Sequence, residues 1–308
     1  MQKFQYTFSQ NGTVTGAQSI PPSSASPVHC PLIIALHGGG YDHQYFDATP
    51  KTSATVASTA FGVPFVSVDR PSYGGTSSVL PIPDNSTFHE QSGDLLHRQI
   101  IPEIWRKIGI PNNCNCVVLL CHSFGVMPGM VTAAMHAKDE KPSYPLGGMI
   151  ASGLGNEQPS HTRDSPSPYL QTDDEHYQFK VDAKDGIMFK QGTCDPEILK
   201  QSPRLNAIFP VAEVADFASS WLTSWKETWA IHVTVPVMFS LVDDDPFFVV
   251  NEEELQICIN AFENSVRVDG SLIKGAPHCV ELSHWSQGWY ARCFGFAMEC
   301  ATSLASFS

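Results

Sequence analysis

Short hydrophobic runs, each ending at Gly, Asp or Ser, alternate along the chain with longer segments of helical periodicity. This alternation is typical of a mostly parallel central sheet with helices on both faces, because helices connect parallel strands and cover them on both sides. A hairpin is also expected near the N-terminus, where Asn11-Gly12 suits a tight turn. The fold class is therefore α/β, with core strands predicted at 32–36, 64–68, 117–121, 147–151, 235–241 and 266–273.

Three helices are predicted from apolar residues at helical spacing. The first, at 96–108, has leucine or isoleucine at every fourth position and a kink expected at Pro102. The second begins after Asn251, whose side chain is expected to cap it ahead of three glutamates. The last, at 289–300, is expected to close the chain by packing on the sheet.

One segment, 155–228, interrupts this alternation. It is rich in Pro, Ser and Asp at first and later carries large aromatic residues. About 70 residues without clear strand patterns more often cover a site than fold alone, so the segment is predicted to be a cap inserted into a core of 1–154 and 229–308. Its aromatic side chains either roof an apolar pocket, which we expect, or only attach the insertion to the sheet; they include Phe209, Phe217, Trp221 and Trp225.

The composition of the 308-residue chain limits the classes of molecule that the protein is expected to bind. Charged residues make up only 16%, and 31 acidic against 18 basic side chains give a net charge of −13. Nucleic acids and anionic membranes require clustered Lys and Arg, so neither is an expected partner. No apolar run approaches the ~18 residues of a transmembrane helix. The first residues lack the apolar segment of a signal peptide, and nine cysteines, several in apolar patterns, favour a reducing, cytoplasmic location.

The strongest chemical motif is the strand 117–121 followed at once by His122-Ser123-Phe124-Gly125. It resembles the G-x-S-x-G nucleophile elbow of the alpha/beta hydrolase family, with Gly125 in place and Cys121 at the position of the first glycine. The resemblance implies a nucleophilic Ser123 at the tip of a tight turn between a strand and a helix. Taken by itself, a serine at this point could also cap the helix.

A second motif, His37-Gly38-Gly39-Gly40, follows the strand at 32–36 and resembles the oxyanion loop of the same family. It implies that the backbone N–H groups of Gly39 and Phe124 bind a developing oxyanion. The adjacent Gly40 and His122 are expected at the substrate, together with Trp221 and Trp225. A phosphate-binding loop is the alternative for the glycines, but the G-x-G-x-x-G spacing is lacking.

A serine nucleophile needs a histidine base and a carboxylate that orients it. The segment 235–246 resembles the family strand that ends at the catalytic acid, which aligns Asp245 with that acid and leaves its neighbours Asp243 and Asp244 as alternatives. Two histidines follow the acid. His278 comes directly after the strand at 266–273, as the family's histidine does, and is the expected base, whereas His284 is not.

The segments around Asp245 and His278 are most similar to fungal hydrolases associated with polyketides or other secondary metabolites. That similarity implies an apolar small-molecule substrate and hydrolysis of an ester, thioester or lactone. Carbon–carbon bond cleavage, condensation or cyclisation of a polyketide, or ligand binding with little turnover, are the alternatives. No cofactor or metal is expected, because Cys116 and Cys121 lie about 16 Å apart on one strand at ~3.3 Å per residue, too far to share an ion.

Overall fold

A large central sheet is the main feature of the computed structural model, which describes residues 1–160 and 167–307. The described strands are β1 (Gln2–Thr7), β2 (Thr13–Ser19), β3 (Cys30–Leu36), β4 (Phe65–Val68), β5 (Cys114–His122), β6 (Leu146–Ser152), β7 (Tyr169–Gln171), β8 (His176–Phe179), β9 (Phe209–Pro210), β10 (Val237–Asp244) and β11 (Val268–Pro277). Eight of them form the sheet, in the order β1-β2-β4-β3-β5-β6-β10-β11. All six predicted core strands are therefore present.

The sheet is antiparallel only at its N-terminal edge, where β1 pairs with β2 and β2 with β4; the other pairs are parallel. The predicted hairpin is present as β1 and β2, but its turn is longer than expected. Thr7 pairs with Thr13, so residues 8–12 form the loop, and only Asn11 has a positive φ, of +60°.

The described helices are α1 (Thr55–Phe61), α2 (Phe88–Leu95), α3 (Ile101–Ile104), α4 (Val126–Lys138), α5 (Val181–Met188), α6 (Pro196–Leu199), α7 (Val211–Asp216), α8 (Leu222–Thr228), α9 (Glu252–Asn260) and α10 (Ser286–Phe307). The helix predicted at 96–108 begins earlier, because Thr87 and Glu90 form a capping box at the start of α2. Pro102 lies in α3 between two π-helical turns. Proline has no backbone N–H, and the wider turns accommodate the lost hydrogen bond. Asn251 caps α9 as predicted.

Alternate residues of the central strands face opposite layers of the core. On β3, Leu32, Ile34 and Leu36 pack in one hydrophobic cluster, whereas Ile33 and Ala35 pack in the other. The first cluster lies under α2–α4 and α9, and the second under α1 and α10. Helices thus cover both faces of the sheet. Hydrogen bonds between the strands fix the strand ends, and the candidate site residues come directly after these ends.

The segment predicted as an insertion contains a small antiparallel sheet, β7-β8-β9, followed by α7 and α8, which a π-helical turn joins. No strand was predicted there, and residues 161–166 lie outside the described residues. All nine cysteines are free thiols, and all but Cys194 are buried. None of the described helices is both long and apolar enough to cross a membrane.

Candidate active site

Ser123 lies at the end of β5, in a sharp turn into α4. Its φ of +52° is in the left-handed region, which is strained for a residue with a Cβ. Strand and helix approach so closely that a Cβ on Gly125 would lie 2.4 Å from the Leu36 carbonyl oxygen. Cys121 stands where the family has glycine, and its Sγ packs against Gly129, where a Cβ would lie 2.4 Å from the sulfur. The helix therefore supplies the space that Cys121 requires.

The side chains of Ser123, His278 and Asp245 meet at the carboxyl ends of β5, β10 and β11. His278 Nε2 lies 3.1 Å from Ser123 Oγ, and His278 Nδ1 lies 2.8 Å from Asp245 Oδ2. The imidazole and the carboxylate are each 2% exposed, so little water competes for their hydrogen bond. The carboxylate favours the tautomer with hydrogen on Nδ1, which leaves Nε2 free to accept the serine proton.

The three consecutive aspartates at the end of β10 have different partners. Asp243 accepts from the Gly275 N–H of the neighbouring strand β11, at 3.3 Å. Asp244 pairs with Lys190 at 2.6 Å. Asp245 alone among the three contacts His278, which agrees with the alignment that assigned it as the acid.

Gly39 and Phe124 border the cavity next to Ser123. A Cβ on Gly38 would lie 3.0 Å from the serine Cβ, and a Cβ on Gly39 would lie 2.9 Å from the Phe124 ring, so glycines allow the loop to approach the turn. The N–H of Phe124 belongs to the first helical turn, which has no intrahelical acceptor. The positive end of the helix also favours an anion at this point.

His37 holds this loop to the strand that follows it in the chain. Its Nδ1 lies 2.8 Å from the Gly38 carbonyl oxygen, and its Nε2 accepts from the Arg70 backbone N–H at 3.2 Å. Complete burial, with the Arg70 charge nearby, lowers the pKa of His37 to about 3. The ring is therefore neutral, and its two hydrogen bonds orient the loop.

A cavity of about 220 Å³ opens above Ser123. No lysine, arginine or carboxylate side chain is among the described residues that line it. Beyond Gly39, Ser123, Phe124 and His278, the lining residues are mostly apolar or aromatic: Gln158, Pro168, Tyr169, Phe179, Met188, Phe209, Val214, Phe217, Ala218, Phe247 and Phe248. Such a surface suits an uncharged, apolar group.

Comparison with known families matches residues 33–291 to a family described as the alpha/beta hydrolase family. The chain belongs to that family. Comparison with the curated proteins finds no match. The fold is the alpha/beta hydrolase fold, which the sequence resemblance predicted.

Solved structures similar to this alpha/beta hydrolase include a thermophilic esterase from Thermogutta terrifontis, at 14% identity, 98% coverage of this chain, 100% of that chain and a TM-score of 0.62. An N-acyl homoserine lactonase, AidH, in complex with N-butanoyl homoserine has 14% identity, 97% coverage of both chains and a TM-score of 0.60. A monoacylglycerol lipase from Paleococcus ferrophilus has 14% identity, 97% and 100% coverage and a TM-score of 0.55. At these identities the likeness describes the fold.

The aromatic residues of the insertion divide into two groups in this alpha/beta hydrolase. Phe209 and Phe217 line the cavity, as predicted. Trp221 and Trp225 are not among the described lining residues. The two tryptophans lie in the hydrophobic core cluster on the α2–α4 face, where Trp221 also packs against His89. The sequence analysis predicted that these two tryptophans contact the substrate. That prediction is wrong in the structure, because the part of the helix that bears them lies beyond the cavity and packs in the core.

Gly40 and His122 are also absent from the described cavity lining, contrary to their assignment as substrate contacts. The Gly40 carbonyl is turned to the insertion, where it accepts from the Ala207 N–H at 3.1 Å. His122 is buried, stacks on Tyr45 at 5.0 Å and lies 3.4 Å from Glu281. Burial lowers the pKa of His122, so its ring is neutral. The ring packs beneath the turn at Ser123 and does not face the cavity.

Several cavity residues were missed by the sequence analysis. Phe247 and Phe248 follow Asp245 within three positions, and that proximity could have identified them. Phe179 and Met188 lie in the insertion far from every motif, so their positions depend on how the insertion folds back.

One group of possible metal ligands occurs among the described residues: Asp42, His43 and Asp69. Asp69 Oδ1 accepts from both the backbone N–H and the Nδ1 of His43, at 2.9 Å each. Hydrogen bonds account for this cluster, and none of its residues is among those that line the cavity.

Proposed function

We propose that this alpha/beta hydrolase is a serine hydrolase that cleaves an ester, thioester or lactone of an uncharged, apolar small molecule. The observation that carries the proposal is the hydrogen-bonded series from Ser123 through His278 to Asp245, at 3.1 and 2.8 Å, beside an apolar cavity. The names of similar structures, an esterase, a lactonase and a lipase, agree with this chemistry.

In the proposed reaction, Ser123 Oγ attacks the substrate carbonyl carbon while His278 Nε2 takes the hydroxyl proton. The carbonyl oxygen becomes an oxyanion, which the N–H groups of Gly39 and Phe124 bind. His278 returns the proton to the leaving alkoxide or thiolate, and an acyl-serine remains. Water then attacks this acyl group with His278 again as base, which releases the acid and restores the serine. Asp245 stabilises the imidazolium in both steps.

The cavity defines the substrate class in this proposal. Its volume of about 220 Å³ is small beside the ~300–1,000 Å³ of typical ligand pockets. Its aromatic walls and the lack of charged side chains among the described lining residues favour a compact, neutral acyl group over a long or ionised one. A polyketide-type metabolite is the finer proposal, and the sequence similarity around Asp245 and His278 supports it.

Steady-state hydrolysis of p-nitrophenyl esters, acyl thioesters and neutral lactones tests this function. We expect turnover of short neutral acyl groups, a much lower rate with a succinyl ester, and an acylated Ser123 peptide in mass spectra of a quenched reaction. Ser123→Ala is the matched control and should give neither product nor acyl-enzyme. A folded protein that hydrolyses none of the three classes but forms or breaks a carbon–carbon bond in a polyketide would contradict the proposal.

A further inference from the structure

Lys184 of α5 has a buried amino group. Its side chain is 1% exposed, and within residues 1–160 and 167–307 no carboxylate forms an ion pair with it. Its Nζ instead donates to two backbone carbonyls, of Gly40 at 2.6 Å and of Leu205 at 2.7 Å. Nζ also lies 3.6 Å from the centre of the Tyr41 ring. Burying an amino group is costly unless it is hydrogen-bonded, so this geometry indicates a specific task.

The Gly40 carbonyl joins the insertion to the oxyanion loop. Gly40 has a φ of +69°, and its carbonyl accepts from Lys184 Nζ and from the Ala207 N–H, both of the insertion. The preceding residue, Gly39, carries one of the two N–H groups proposed to bind the oxyanion. Two donors from the insertion therefore hold the Gly40–Tyr41 peptide group, which is the second peptide group after the one that carries the Gly39 N–H.

The same helix also contacts the loop that carries the catalytic histidine. The Met188 carbonyl, one turn after Lys184, accepts from the Cys279 N–H at 3.3 Å, and Cys279 follows His278. The Tyr41 hydroxyl lies 3.4 Å from Cys279 Sγ. Helix α5 thus spans the oxyanion loop and the histidine loop, and Lys184 provides the polar link to the first of them.

We propose that Lys184 is a positioning residue that fixes the oxyanion loop through the Gly40 carbonyl, an inference that rests on the proposed serine hydrolase function. Oxyanion donors act on the tetrahedral intermediate, and displacements well below 1 Å reduce their effect. Without Lys184 the Gly40 carbonyl keeps the Ala207 N–H as a donor but loses its bond to α5, so the oxyanion loop can shift from its position. Transition-state stabilisation then falls, while binding of the planar substrate in the apolar cavity is retained.

Lys184→Met tests the proposal, because it keeps the length of the side chain and removes both hydrogen bonds. Lys184→Gln keeps one donor, and Lys200→Met, at an exposed lysine of the insertion, is the matched control. The readouts are kcat and KM for a short-chain ester, the inhibition constant of a hexyl trifluoromethyl ketone, which forms a tetrahedral adduct with serine, and the dissociation constant of the neutral hexyl methyl ketone, which is not activated and stays planar.

For Lys184→Met we expect kcat/KM and affinity for the trifluoromethyl ketone to fall together by about 10- to 100-fold, with KM and binding of the methyl ketone changed less than about threefold. Lys184→Gln should lie between this variant and the wild type, and Lys200→Met should match the wild type. Wild-type kcat in a folded Lys184→Met, an equal loss of binding of the two ketones, or failure of both Lys184 variants to fold would overturn the positioning role. A wild-type protein without hydrolysis or ketone inhibition would instead overturn the proposed function.

Discussion

The proposed catalytic centre and the cavity wall are constructed in different ways. Ser123, Asp245 and His278 each follow a strand of the central sheet, so hydrogen bonds between strands fix their backbones. Phe179 and Phe209 come from the short strands of the insertion, and their positions depend on side-chain packing and a few polar contacts. The difference teaches that the chemistry and the substrate preference can change separately, because they depend on different parts of the chain.

The largest effect is expected at the strand ends. Ser123→Ala should lower kcat by about 10³-fold or more and leave the fold intact, because the serine contributes a bond-forming atom. His278→Ala should lower kcat by a comparable factor. His284→Ala is the control, since the His284 side chain is exposed and its backbone N–H, which the substitution keeps, donates to the Thr193 carbonyl. Ester hydrolysis with far-ultraviolet circular dichroism checks these outcomes, and a greater loss in His284→Ala would refute the assignment of the base.

The next comparison is among Asp243, Asp244 and Asp245, the three aspartates at the end of β10. Asp245→Asn should lower kcat by about 10³-fold, because an amide stabilises the wrong tautomer of His278 and cannot balance the imidazolium. Asp243→Asn and Asp244→Asn should change kcat by less than about threefold, since surface ion pairs contribute little. The kcat values of the three variants on one ester decide the matter. A loss in Asp243→Asn or Asp244→Asn equal to that in Asp245→Asn would disprove the choice.

Two buried aromatic residues of the insertion separate specificity from stability. Phe209→Ala enlarges the cavity, so the ratio of kcat/KM for octanoyl to that for butanoyl esters should rise by about tenfold. Trp225→Ala should leave this ratio unchanged and lower the free energy of unfolding by about 3–5 kcal/mol, because Trp225 packs in the core near Phe262. Chain-length kinetics and urea unfolding measure both quantities. The account of the insertion fails if Trp225→Ala shifts the ratio and Phe209→Ala does not.

The smallest effect concerns the pH dependence of stability. Burial lowers the pKa of Lys184 to about 7, although Cys279, Asp185 and Asp42 nearby act to raise it. The unfolded chain keeps this proton up to about pH 10. Between about pH 7 and 10 the unfolded state therefore binds more protons, and Lys184 makes the free energy of unfolding rise with pH.

Lys184→Met removes that contribution. The stability of the wild type minus that of Lys184→Met should therefore increase with pH, by up to about 1.4 kcal/mol per pH unit above neutrality. Urea unfolding of both proteins at pH 7, 8 and 9 measures the difference. A difference that stays constant, or that shrinks as pH rises, would contradict the lowered pKa of Lys184 in the folded protein.

The sheet was predictable from its patterned strands, and the proposed triad was found because each of its residues comes directly after one of them. Ser123 and Asp245 follow strands that are mostly buried, and His278 follows β11, which is only partly buried. Trp225 was misplaced because a helical stripe does not show where along its length the cavity ends. It lies eight residues after Phe217, about 12 Å along a helix at 1.5 Å per residue.

The contact between Lys184 and the oxyanion loop could not be predicted from the sequence, for a physical reason. Its two acceptors are backbone carbonyls, of Gly40 and Leu205, and every residue has a backbone carbonyl. The pairing therefore depends on how the insertion folds back over the oxyanion loop and not on the type of residue it contacts. The small sheet of β7, β8 and β9 was missed because its strands are two to four residues long, too short to show alternation.

The most direct measurement is covalent labelling with a fluorophosphonate followed by peptide mapping. The reagent requires a serine that a nearby base activates and an oxyanion site that binds the phosphoryl oxygen. The account predicts one phosphonylated residue, Ser123, with no label in Ser123→Ala and a rate reduced by at least about 10²-fold in His278→Ala. Label on another residue, or equal labelling of the wild type and Ser123→Ala, would contradict the claim that Ser123 is the nucleophile.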